Sequence, residues 1–243
     1  MTRRPDPFSL LALPALLYLA FAYGAPLVVL LHGRGSHEGE IISLAPHLPQ
    51  GLQYAAVRAP IAEGGGFAWF ANRGIGRPVA ESLAATMAWF RAWLDHVAPE
   101  GRPVVLVGFS GGAAFAGGLL LADPQRFVGG AILFATMPFD AGLPTTPERL
   151  AGTSTLVIQG DTDQVIPREL LDRTWDYLTG ESGATTTALR EPGGHDLTAA
   201  SRQALSAWLE DVTACYDWVL AEQGHRALQY GVSEGELELR EQA

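Results

Sequence analysis

Val104-Val105-Leu106-Val107-Gly108-Phe109-Ser110-Gly111-Gly112, running into the apolar stretch Ala113 to Ala122, is the segment on which the fold turns. Four aliphatic residues without polar alternation are the pattern of a strand covered on both faces. The run ends at a serine flanked by glycines, and a helix-like stretch follows at once. A strand, a sharp turn and a helix make half of a crossover unit, so an α/β chain with a mainly parallel sheet flanked by helices is expected.

The turn itself matches G-x-S-x-G. With 28 glycines and ten serines in 243 residues, about 0.13 such matches arise by chance, so the spacing alone carries little. Its position between a buried strand and a helix carries more, because a serine held on such an elbow is exposed for nucleophilic attack. Gly108 and Gly112 leave room for the turn. The helix directs its first amides towards the place where negative charge develops, which makes the Gly111 amide an expected oxyanion donor.

Outward from this segment, apolar strand-length runs alternate with helical ones. Leu27 to Leu31, Gly130 to Phe134 and Thr155 to Ile158 are buried-strand patterns, and Leu52 to Val57 is a weaker one. Helices are expected over Val79–Val97, Ala113–Ala122, Arg168–Leu178 and Ser201–Trp218, with Pro99, Gly101, Pro124 and Gly180 as stops. No repeat and no long Pro/Gly/Ser linker divides the chain, so residues 1–243 are read as a single domain with an acidic tail over about 223–243. Fewer than twenty residues separate Ala135 from Thr155. No large lid domain fits there.

Composition narrows the function. The net charge is −10, from 26 acidic and 16 basic residues, and every basic residue is an arginine. Lysine-dependent phosphate loops and Schiff-base chemistry are thereby excluded, and an acidic surface argues against nucleic acid. Gly64-Gly65-Gly66 and Gly74-Ile75-Gly76 are accordingly read as a mobile loop beside a cleft. A single cysteine, Cys215, excludes an internal disulfide. No metal is expected; His32, His37 and Glu38 form the nearest approach to a ligand set and are read as structural.

The N-terminus offers two readings. Arg3, Arg4 and the apolar run Phe8 to Ala22 resemble a secretory signal, which would make the protein secreted or periplasmic. Asp6, Pro14 and the alternation around Leu17, Leu19 and Phe21 favour a strand instead. Residues about 15–31 are then a hairpin in which Leu17 to Phe21 pairs with Leu27 to Leu31, and the protein is cytoplasmic. Pro14 and Gly24 leave too short an apolar stretch for stable membrane insertion.

A serine hydroxyl needs a histidine to take its proton, and the histidine needs a carboxylate to hold one tautomer. Of six histidines, His195 in Pro192-Gly193-Gly194-His195 lies in a loop before the last helix. Two aspartates are candidates for the acid, Asp161 and Asp163, in the loop after Thr155 to Ile158. Loops at the carboxyl ends of parallel strands share one edge, where all three parts can meet. Asp161, next to Gly160, suits bonds to nearby backbone amides, whereas Asp163 lies further out towards the shared edge.

Leu31-His32-Gly33-Arg34-Gly35, the Ser110 elbow, Gly160 to Pro167 and Gly194-His195 together resemble the α/β-hydrolase superfamily. Within it the chain is similar to the phospholipase/carboxylesterase group, which includes acyl-protein thioesterase-like enzymes and relatives of dienelactone hydrolase. The resemblance spans about residues 27 to 210. It implies the α/β-hydrolase fold, the order Ser110, Asp163, His195 for a catalytic triad, and the Arg34 amide as second oxyanion donor. Gly160 to Pro167 looks like the group's G-x-x-D-x-x-V-P segment, which again points to Asp163. Gln159 stands where many relatives carry histidine. Dienelactone hydrolases use cysteine as nucleophile, so Ser110 argues against that activity.

The resemblance thus implies a serine carboxylesterase acting through an acyl-enzyme, without cofactor, and the short connection after Ala135 favours small or surface-presented esters over long lipids. A thioesterase or amide hydrolase with the same triad, or a non-catalytic ligand-binding protein of this fold, are the alternatives. Trp69, Met137 and Phe139, with Phe67 and Phe70, are expected pocket walls. A small-molecule ester is the expected partner, and a homodimer is compatible with the sequence.

Overall fold

The computed structural model describes residues 25–230, with side chains in the last helix as far as Ala214. Its centre is a six-stranded sheet in the order β10-β9-β8-β7-β1-β2. The strands are β1 (Leu27–Leu31), β2 (Gln53–Val57), β7 (Val104–Phe109), β8 (Gly129–Leu133), β9 (Ser154–Gly160) and β10 (Thr185–Glu191). Every pairing in this sheet is parallel.

Successive residues of β1 enter opposite layers, as the two-residue period of a strand requires. Val29 and Leu31 pack with Leu83, Met87 and Phe90 of helix α2 (Ala80–Val97) and Phe115 of helix α3 (Gly111–Ala122). Val28 and Leu30 pack with Ile41 of α1 (Glu38–Ile41), Leu44 of the 3-10 turn Ile42–His47, and Leu205, Trp208 and Leu209 of α5 (Ala199–Tyr230). Both faces are dry, which is why these strands read as unbroken apolar runs. Each such side chain contributes about 1.5–3 kcal/mol on burial.

The strands expected within the described residues are present, as are the four helices, of which α4 covers Arg168–Asp176 and continues as a π-turn over Tyr177–Glu181. Helix α5 runs twelve residues beyond the expected end at Trp218. Two antiparallel hairpins, β3–β4 (Ile61–Glu63, Gly66–Ala68) and β5–β6 (Asn72–Gly74, Arg77–Pro78), had no sequence signal strong enough to place them. The connection from β8 to β9 holds only a 3-10 turn at Phe139–Ala141, so no lid domain is inserted there.

Residues 15–24 of the expected N-terminal hairpin lie outside the described residues, as do 231–243 of the tail. Strand β1 is bonded by β2 along one edge and β7 along the other. Among the described residues no helix is long and apolar enough to cross a membrane.

Candidate active site

The carboxyl edge of the sheet gathers the loops after β1, β7, β9 and β10. At the β7–α3 junction Ser110 has φ 52° and ψ −120°, a strained conformation for a residue with a Cβ. The junction holds because its amide donates to the Leu133 carbonyl at 2.9 Å, while its own carbonyl accepts from Ala113 and Ala114. Glycine is required on both sides. A Cβ on Gly108 would stand 2.4 Å from the Ala113 Cα, and one on Gly112 2.2 Å from the Leu31 carbonyl oxygen.

Ser110, His195 and Asp163 form one hydrogen-bonded chain. His195 Nε2 lies 2.9 Å from Ser110 Oγ, and Nδ1 lies 2.8 Å from Asp163 Oδ2. An ionised carboxylate only accepts, so Nδ1 carries the proton and Nε2 is left to accept from the serine hydroxyl. The Asp163 side chain is fully buried. Its second oxygen, Oδ1, accepts from the amides of Val165 at 2.8 Å and Ile166 at 3.1 Å, so this buried charge is well bonded. Asp161 takes no such part: it is exposed, its own amide bonds the Glu191 carbonyl, and the nearby backbone amides expected to bond it bond Asp163 instead.

The histidine loop is pinned to the acid loop. Thr162 donates its amide to the Gly193 carbonyl at 2.9 Å, and Gly160 passes so close that a Cβ there would meet the Gly194 carbonyl oxygen at 2.2 Å. Beneath His195 lie Phe109, with ring centroids 5.2 Å apart, and Phe134, edge-on at 6.3 Å. Phe134 is fully buried with a left-handed φ of 51°. Nothing in its sequence surroundings announces that role, because a bulky residue is not expected at positive φ.

The loop after β1 supplies the opposite wall. The Arg34 amide nitrogen stands 3.2 Å from where a Cβ on Gly111 would be, so the Gly33–Arg34 peptide lies against the start of α3. Neither the Arg34 nor the Gly111 N–H has an acceptor among the described residues. His32 supports this loop from below: its Nε2 accepts from the Ala59 amide at 3.1 Å, and its Nδ1–H donates to the Gly33 carbonyl at 2.8 Å. Burial holds its pKa below the ordinary histidine value.

A cleft of about 520 Å³ opens over Ser110 and His195. Its apolar wall comes from Ile41, Leu44, Ile75, Val165, Ile166 and Leu197. Ile75 and Val165 are large apolar side chains left exposed, at 52% and 44%. Glu40 also lines it, and among the described residues the one arginine in the lining, Arg34, is paired with Glu63.

The aromatic and methionine walls expected from the sequence are elsewhere. Trp69 is buried, stacks on Phe115 at 4.5 Å and donates its indole N–H to the His32 carbonyl. Phe70 is buried and Phe67 packs under Arg58. Met137 is core, because the segment after β8 is tied to α4 by the bond from its amide to Thr174 Oγ1. Phe139 packs on Tyr177 beneath Arg173. Strand-end position alone misled here: the backbone turns away at Phe134.

Among the described residues no group of three His, Cys, Asp or Glu side chains could hold a metal ion. His37 caps α1 by accepting from the Gly39 amide. Glu38 bonds Arg58, whose guanidinium holds that carboxyl down at about 2.

The chain is similar to known proteins over most of its length. Residues 23–212 match the model of the phospholipase/carboxylesterase family. A putative hydrolase of Bacillus subtilis, MhqD, is 27% identical over 189 residues, covering 76% of this chain and 92% of that protein. The crystal structure of a carboxylesterase from Mesorhizobium loti superposes with a TM-score of 0.67 at 27% identity, covering 76% of this chain and 88% of the other. A Bacillus cereus carboxylesterase shares the fold with a TM-score of 0.70 at 23% identity, over 78% of this chain and 90% of that one. The chain belongs to the phospholipase/carboxylesterase family: it is a carboxylic ester hydrolase on the α/β-hydrolase fold.

Proposed function

We propose that this hydrolase is a serine carboxylesterase acting on small, uncharged esters, with Ser110 as nucleophile, His195 as general base and Asp163 as the carboxylate that orients it. The observation that carries the reading is the unbroken hydrogen-bonded chain from Ser110 Oγ through His195 to Asp163. The serine attacks the ester carbonyl as its proton passes to His195 Nε2. The tetrahedral oxyanion is bound by the Arg34 and Gly111 N–H groups, each worth about 2.7–4 kcal/mol of barrier if it behaves as such donors commonly do. His195 then protonates the departing alcohol. Water, deprotonated by the same imidazole, releases the acid and restores Ser110.

The choice of an uncharged substrate is supported by the apolar wall, by Glu40 beside the cleft and by the engagement of Arg34 with Glu63. Among the described residues, an anionic acyl or alcohol group would meet no free arginine from this lining. The test is kcat/KM on matched aryl substrates of one chain length: a neutral butyrate ester, the hemisuccinate ester, the thioester and the anilide. The neutral ester is expected to exceed the hemisuccinate by about tenfold and the anilide by far more, since the amine is the poorer leaving group. Faster turnover of the hemisuccinate or the thioester would overturn the substrate assignment.

A further inference from the structure

Arg34 poses a question the triad does not answer. Its backbone nitrogen lies beside Gly111, 3.2 Å from where a Cβ there would stand, yet its guanidinium is turned to a different part of the molecule. Nε donates to Glu63 Oε1 at 2.6 Å, Nη2 donates to Glu63 Oε2, and Nη1 donates to the Phe70 carbonyl at 2.9 Å. A planar fork on a carboxylate fixes both distance and orientation.

Glu63 is the last residue of β3, and the β3–β4 hairpin is itself fastened to the loop that carries Arg34. The Gly35 amide donates to the Phe67 carbonyl at 2.9 Å, and the Phe67 amide donates back to the Ser36 carbonyl at 3.0 Å. The approach is so tight that a Cβ on Gly66 would stand 2.0 Å from the Gly35 carbonyl oxygen. Gly64 and Gly65 turn the hairpin at φ 59° and 87°. This glycine run, expected from the sequence to be a mobile loop beside the cleft, forms the turn of a hairpin fastened behind the Gly33–Ser36 loop.

Two ties therefore hold that loop. One is the backbone bridge at Gly35 and Ser36; the other is the Arg34 side chain, which leaves the same residue whose backbone nitrogen lies against Gly111. With no acceptor on that N–H among the described residues, its direction is set by its neighbours. The Arg34 and Glu63 side chains are 33% and 41% exposed, so their pairing adds little to global stability. Its effect is local.

We propose that Glu63 is a positioning residue of the oxyanion hole: by gripping the Arg34 guanidinium it aims the Arg34 N–H at the oxyanion formed on the substrate carbonyl. This rests on Ser110 being the nucleophile and the Arg34 N–H an oxyanion donor. An aiming defect is felt only where charge has developed, so it lowers kcat and spares ground-state binding.

The experiment compares the full-length wild type with Glu63→Gln and Glu63→Ala on a neutral aryl butyrate, with thermal midpoints measured alongside. Affinity for an aryl trifluoromethyl ketone is measured too; there Ser110 Oγ adds to the carbonyl, its proton goes to His195, and the oxyanion occupies the hole. We expect kcat to fall about tenfold in Glu63→Gln, which keeps one acceptor, and about 30- to 100-fold in Glu63→Ala. KM stays within twofold, the midpoint within about 2 °C, and ketone affinity falls in step with kcat. Wild-type kcat and ketone affinity in both variants would overturn the proposal, as would a loss of kcat that only accompanies a fallen midpoint. If the wild type fails to form the ketone adduct or to be labelled on Ser110 by a fluorophosphonate, the nucleophile reading itself is what fails.

Discussion

Asp163 uses both carboxylate oxygens, one on His195 and one on the amides of Val165 and Ile166. An asparagine cannot reproduce this. With its oxygen on the two amides, its NH2 faces His195 Nδ1 and forces the proton onto Nε2, where it can no longer accept from Ser110. Flipped, its NH2 meets the two amide donors. Asp163→Asn is therefore expected to lose about four orders of magnitude in turnover with the fold retained, whereas Asp161→Asn, exposed, is expected to change turnover little and stability by under about 0.5 kcal/mol. Steady-state rates and thermal midpoints of the two variants decide it; a dead Asp161→Asn with an active Asp163→Asn would reverse the assignment. That the sequence could favour Asp163 follows from its distance beyond Gly160 and from the G-x-x-D-x-x-V-P likeness. The second set of bonds was not legible, because an Asx-type turn depends on loop backbone angles that spacing does not fix.

Among the strands, those buried on both faces were the plainest to read, Gln53–Val57 at one edge was weaker, and Thr185–Glu191 and the two short hairpins were not read. Leu27–Leu31 and Val104–Val107 announce themselves because each residue must be apolar whichever way it points. Thr185–Glu191 forms an edge strand with mostly exposed and half-buried positions, and Thr-Thr-Thr-Ala-Leu-Arg-Glu carries no period that demands it. The two hairpins are only two or three residues per strand. His32 links the end of β1 to Ala59 after β2, and its titration tests that link. The fold lowers its pKa, so the stability it adds is present above the unfolded value near 6.5 and is lost as pH falls below it, since a proton on Nε2 would oppose the Ala59 N–H. Loss of up to about 1.4 kcal/mol per pH unit is expected below that point. The thermal midpoint of the wild type should drop between pH 7 and 5 more steeply than that of His32→Gln; equal slopes would show that His32 does not carry the effect.

At the scale of the whole molecule, one edge of a parallel sheet collects parts 85 residues apart in sequence, Ser110 and His195. Without a lid between β8 and β9, the cleft stays open to solvent, with Ile75 and Val165 on its lining. The general position of the site was foreseeable, because carboxyl-end loops converge in any such sheet; its walls were not, because they come from α1, the β5–β6 turn and the acid loop. The central claim is that Ser110 is the residue that becomes acylated. Its most direct test is intact-protein mass spectrometry after exposure to a fluorophosphonate, followed by peptide mapping. One adduct per chain, on Ser110, absent from Ser110→Ala and slowed by several orders of magnitude in His195→Ala, is the expected result. Labelling that persists undiminished in Ser110→Ala, or maps to another residue, would contradict it.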